Sequence, residues 1–152
     1  MIERTLFLKF RTKRYKAMKK VIVVVSQASD GSYWCRTEQD VYECGLNGTG
    51  PTVKAAKEDL AACLEEAKEE YEQSGRKAAP VDFLYQYDLQ SFFEYFSFLN
   101  VTEIARRAHI NPSLMRQYAR GIKTAGEKTY ARLSECMDHI TEELQAASFR
   151  DV

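Results

Sequence analysis

A chain of 152 residues, 45% hydrophobic and 29% charged, suits one compact domain or two small ones and has the balance of an ordinary soluble fold. No apolar run approaches the ~20 residues that a membrane span requires, so no membrane partner is expected. Four scattered cysteines (Cys35, Cys44, Cys63, Cys136) without a CxxC pair, and two isolated histidines (His109, His139), argue against a disulfide framework or a zinc site. They fit reduced core thiols in a cytoplasmic protein.

The zero net charge conceals an uneven distribution. Residues 1–20 hold eight basic side chains against Glu3 alone, whereas residues 21–80 hold six basic against eleven acidic. Residues 1–19 therefore read as a basic N-terminal extension. It has neither the apolar core nor the small-residue cleavage site of a secretory signal. Two readings stand: a flexible nucleic-acid arm, or an upstream extension of the reading frame with Met18-Lys19-Lys20 as the ordinary start.

Residues 20–88 have the pattern of a small α+β domain. Val21 to Ser26 is a β-branched run, continuous enough to predict a strand buried on both faces. Asp30-Gly31 is a hairpin signal, and Tyr33, Trp34 and Cys35 follow on a second strand. Val41 to Leu46 reads as a third strand, after which Gly45, Gly48 and Gly50 break the chain. Thr52 then caps a long helix. Its apolar stripe is Val53, Ala56, Leu60, Leu64, Ala67 and Tyr71, its remaining surface is rich in Glu, and it ends near Ser74-Gly75. Val81 to Tyr87 alternates as a fourth strand, so the order β-β-β-α-β predicts a helix layered on a sheet.

Residues 89–148 read as an all-α bundle. Leu89, Phe92, Phe93, Phe96 and Leu99 stripe a first helix, which either supports the bundle or lines a groove. Asn100 with Glu103 has the spacing of a capping box for a helix carrying Ile104, Ala105 and Ala108. His109-Ile110-Asn111-Pro112 ends that helix and starts another, with Asn111 as N-cap, Pro112 in the first turn and Gly121 as the left-handed stop. Met115 and Tyr118 are its inward residues. Ser113, Arg116, Gln117 and Arg120 share the opposite face, and Arg106, Arg107 and Lys123 flank it. Arg and Gln pair in two-point fashion with guanine and adenine edges in the major groove, while flanking cations hold phosphates. Beyond Gly126, Tyr130, Leu133, Met137, Ile140, Leu144 and Ala147 form a heptad-like seam, either internal or a dimer interface.

The stretch from Val101 to Gly121 resembles the helix-turn-helix of the Cro and phage-repressor superfamily. Ala105 stands at its small crossing position, Ile110 at its apolar turn position, and Met115 and Tyr118 at its core positions. His109 departs from the pattern, standing where that family usually has a Gly of positive φ. The strand, the DG turn, the Gly-rich loop into Thr52 and the Ala- and Glu-rich helix resemble the HicB antitoxin family. That resemblance implies a partial RNase H-like domain that inhibits a small mRNA-cleaving toxin of HicA type, joined to a domain that binds the operator of the shared operon.

Catalysis is not expected. An RNase H-type nuclease gathers carboxylates around two metal ions, one of them from the first strand, yet Lys20 to Gln27 contains none. Glu43 and Asp59 are the remaining partners, each more simply a solvated residue of its element. GLNGTGPT lacks the Lys of a phosphate-binding loop, and neither GxSxG nor HExxH occurs. The expectation is an antitoxin-type transcriptional regulator, without cofactor or metal, that binds double-stranded DNA as a homodimer or higher oligomer. Its DNA-contacting residues would be Arg106, Arg107, Asn111, Ser113, Arg116, Gln117, Arg120 and Lys123. The other reading is a stand-alone DNA-binding regulator whose sheet domain serves oligomerisation or ligand binding.

Overall fold

The computed structural model describes residues 18–151, so both readings of residues 1–17 lie outside the described residues. The chain is α+β and divides between Asp88 and Leu89 into two compact units.

Among the described residues the first unit is one four-stranded mixed sheet with a helix. Strands β1 (Lys19–Gln27), β2 (Tyr33–Thr37) and β3 (Asn47–Gly50) precede helix α1 (Val53–Gln73), and β4 (Val81–Tyr87) follows it. The spatial order is β3-β2-β1-β4; β1 pairs antiparallel with β2 and parallel with β4. The parallel pairing requires a crossover, and α1 lies within it. Val21, Val23 and Val25 of β1 are fully buried with Val53, Ala56 and Leu60 of α1, each valine or leucine side chain contributing about 1.5–3 kcal/mol of burial.

Four expectations need correction. β1 is buried on one face rather than two, because α1 covers only one side. On the other side Ile22 and Val24 are half-buried, Trp34 is 42% exposed and Leu84 41%. The third strand lies at Asn47–Gly50, not Val41 to Leu46. Val41 and Cys44 instead close a tight turn through two backbone hydrogen bonds of 2.8 and 3.0 Å, with Tyr42 and Glu43 at φ 51° and 68°. Two positive φ angles in succession are the signature of a type I′ turn. Of the three glycines read as chain breaks, Gly48 and Gly50 are strand residues packed against α1, and only Gly45 lies in the loop before β3. A Cβ on Gly48 would sit 2.3 Å from the carbonyl oxygen of Ala56, and one on Gly50 2.6 Å from Cβ of Ala55. Finally, only Cys35 and Cys136 are core thiols, while Cys44 is exposed in the turn and Cys63 is half-buried.

Local signals elsewhere act as their chemistry dictates. Gly31 takes φ 87° in the β1–β2 loop, and Asp30 Oδ1 accepts from both the amide and the hydroxyl of Ser32. Those two bonds hold the Asp30 carboxyl below its ordinary range. Thr52 Oγ1 accepts from the amide of Ala55 at 3.1 Å, starting α1, and Gly75 at φ 85° follows its end. Near its start α1 carries Lys57, whose ammonium lies 3.9 Å from the Tyr85 ring centre and donates to the Tyr87 hydroxyl. Burial pushes that ammonium's pKa down.

The second unit holds four helices: α2 (Leu89–Tyr95), α3 (Val101–Arg107), α4 (Pro112–Ala119) and α5 (Glu127–Gln145). Its core gathers Leu89 and Phe93 from α2, Ile104 and Ala105 from α3, Met115 from α4, and Leu133 and Cys136 from α5. The aromatic stripe of α2 therefore serves as bundle core on its Leu89–Phe93 side. The α5 seam is only partly internal. Leu133 is buried and Tyr130, Met137 and Ile140 pack beside it, but Leu144 is 68% exposed and Ala147 lies beyond the helix end. Among the described residues no helix is long and apolar enough to cross a membrane.

Candidate nucleic-acid interface

The α3–α4 pair is assembled by its caps. Asn100 Oδ1 accepts from the amide of Glu103 at 3.1 Å, opening α3. The reciprocal half of the expected capping box is absent from this arrangement, because the Glu103 carboxylate pairs with Arg106 one turn on. At the other end the amides of His109 and Ile110 donate to the carbonyls of Arg106 and Ala105, a Schellman closure. That closure needs a left-handed residue after the cap, and His109 supplies it at φ 56°. The His stands where the resemblance placed a Gly, and the backbone takes the conformation that a Gly would favour.

Asn111 starts α4 two residues later. Its Oδ1 accepts from the amides of Ser113 and Leu114 at 2.9 and 3.2 Å, and Pro112 occupies the first turn. The Asn111 side-chain oxygen, expected in the contact set, is thus occupied by the cap. A second Schellman closure ends α4: the amides of Gly121 and Ile122 donate to the carbonyls of Tyr118 and Gln117. Gly121 has φ 72°, the left-handed conformation that favours glycine, and the end of the flexible Gln90 side chain of α2 lies over it. Ala105 and Met115 are fully buried where the two helices pack.

The outward face of α4 follows from that packing. Ser113, Arg116, Gln117 and Arg120 recur at helical spacing; all are exposed except Gln117, which is half-buried. No acidic residue occurs in α4. Arg116 is braced from outside its helix: its Nη1 donates to Thr102 Oγ1 of α3 at 3.1 Å. Lys123 is exposed in the segment after α4. The two arginines at the end of α3 are committed differently. Arg106 pairs with Glu103, while Arg107 donates to Glu143 of α5 at 2.7 Å, so it ties two helices together as well as carrying charge. That hydrogen bond raises the Arg107 pKa and holds the Glu143 carboxyl below its ordinary range.

Three residues of this region escaped the sequence reading. Thr102 braces Arg116, Glu143 holds Arg107, and Arg132 of α5 donates to the carbonyl oxygen of His109 at 3.4 Å. Each partner lies 14 to 36 residues away, on another helix or in a turn, so no periodicity within one element marks the pair. Chemically the face offers guanidinium and amide donors and positive charge on a rigidly capped helix.

The first unit gathers nothing comparable. Glu43 pairs with Arg76 at 2.6 Å, and Asp59 accepts from the Thr49 amide at 2.8 Å, joining α1 to β3. Among the described residues no three His, Cys, Asp or Glu side chains stand where they could share a metal ion. A cavity of about 470 Å³ lies beside the Val41–Cys44 turn, with Lys19, Tyr42, Tyr71 and Lys77 in its lining. No protein-family model, no curated protein and no solved structure matches the chain, and what the α4 face does rests on its own chemistry.

Proposed function

We propose that this chain is an antitoxin-type transcriptional regulator, acting in the cytoplasm, that binds operator DNA through α3 and α4. The observation that carries the reading is the α4 face: Ser113, Arg116, Gln117 and Arg120 project from a helix capped at both ends, opposite a fully buried Met115. Arg116 and Gln117 read base edges, with Ser113 and Arg120 beside them. Arg106, Arg107 and Lys123 supply phosphate contacts and positive charge around the groove. Two copies place two such helices in successive major grooves about 34 Å apart. The exposed Leu144 end of the α5 seam is apolar surface suited to joining them.

The first unit takes the inhibitory half. Its order β-β-β-α-β, followed by a DNA-reading bundle, is the arrangement expected of a HicB-like antitoxin, and it supports a partner of HicA type: small, basic and mRNA-cleaving. The glutamate-rich outer face of α1 complements a basic partner. The half-exposed sheet face around Trp34 and Leu84 is equally compatible with a stand-alone regulator that uses this unit to oligomerise.

Selection of binding sites from random duplex DNA tests the reading. A two-fold symmetric motif is the expected result; binding without sequence preference, or none, would demote the helix pair to a structural hairpin. Co-expression with any small basic protein found encoded beside this chain then separates the antitoxin from the stand-alone regulator. Restored growth supports the first, and unrelieved toxicity, or a neighbour without toxicity, supports the second.

A further inference from the structure

On the proposed reading Arg116 is one of the two side chains that contact base edges, and its side chain is long and flexible. Arginine carries substantial rotamer entropy, which a freely moving side chain must surrender when it docks. Here that freedom is curtailed before any ligand arrives. Nη1 of Arg116 donates to Oγ1 of Thr102 at 3.1 Å, from the first turn of the neighbouring helix. Thr102 is well suited to be a bracket. It is β-branched, hence stiff at χ1, it is half-buried, and it sits two residues past the Asn100 cap that fixes the start of α3. Only one of the five guanidinium N–H groups is used, leaving enough donors for a two-point contact with a base edge.

We infer that Thr102 is a positioning residue that sets sequence specificity by pre-orienting the Arg116 guanidinium, and this rests on the DNA-binding reading above. It touches no base itself. Its hydroxyl holds the arginine in its reading pose, so its loss loosens the choice of base at one position and leaves the rest of the site unaffected.

The test compares wild type, Thr102→Val, Thr102→Ser and Arg116→Ala in the full chain, each assayed for preference at every base pair of the selected duplex. Thr102→Val keeps shape and branching but removes the acceptor; Thr102→Ser keeps the acceptor. The expected result is a fall of about 3- to 10-fold in discrimination for Thr102→Val, confined to the position that Arg116→Ala erases, with Thr102→Ser close to wild type. Melting temperatures within a few degrees of wild type separate this effect from loss of fold. Undiminished discrimination in Thr102→Val overturns the inference while leaving the DNA-binding reading intact. So does an equal loss of affinity for every sequence, which would make Thr102 a phosphate contact. A wild-type chain that selects no motif overturns both.

Discussion

His109 makes the sharpest conformational demand in the second unit, since an L-residue at φ 56° incurs about 1–2 kcal/mol against glycine. His109→Gly relieves that cost while adding about 0.5 kcal/mol of unfolded-state entropy. The variant should therefore melt about 2–5 °C higher than wild type in a thermal scan. A lower melting temperature would mean that the turn is held by the imidazole rather than strained by it. Gly48 makes the opposite demand, for space. Gly48→Ala drives a methyl group to 2.3 Å from the Ala56 carbonyl oxygen, so α1 must shift off β3. Loss of about 3 kcal/mol in urea unfolding is expected, and a variant within 0.5 kcal/mol of wild type would contradict the close packing. These two positions show what a sequence discloses. The left-handed turn at 109 was legible, because its neighbours Ala105, Ile110 and Asn111 fixed the register of the motif. The role of Gly48 was not, because a glycine beneath a crossing helix looks in sequence like a glycine in a loop.

At the level of elements, strands with strong β-formers and helices with strong caps were legible nearly to the residue. β4 runs from Val81 to Tyr87, and α1 begins after Thr52, as patterning predicts. β3 was misplaced because its sequence, NGTG, has little intrinsic preference for a strand. Its pairing with β2 and the helix above impose the extended form. Val41 and Leu46 are buried as the apolar pattern suggested, but around a turn. Packing between helices was equally hidden. Arg107 and Glu143, 36 residues apart, join the end of α3 to α5. The Glu143 pKa is lowered in the fold, so its stabilisation is present above the ordinary carboxylate pKa and is lost as pH falls through the folded value. Glu143→Gln should accordingly lower the melting temperature at pH 7 and leave it unchanged near pH 2.5. Equal effects at both pH values would exclude the ion pair as the cause.

On the scale of the whole molecule, charge is sorted rather than balanced. The α1 surface is acidic, the α4 face carries arginines without a single carboxylate, and each unit has its own core. On the proposed reading such sorting confines DNA contact to the α4 face, and each phosphate contact then shows in the salt dependence. Lys123→Ala should weaken binding to all sequences alike and reduce the slope of log K against log salt by about 0.9. An unchanged slope would remove Lys123 from the phosphate contacts. The central claim is that α4 reads bases through Arg116 and Gln117. The most direct measurement of it is the ratio of Kd for the selected duplex to Kd for a scrambled one, at fixed salt, in wild type and in the Arg116→Ala, Gln117→Ala double variant. If α4 reads bases, the wild type prefers the selected duplex by at least about 1,000-fold, and the preference falls by about 100-fold or more in the double variant. A double variant that keeps the wild-type ratio would contradict it.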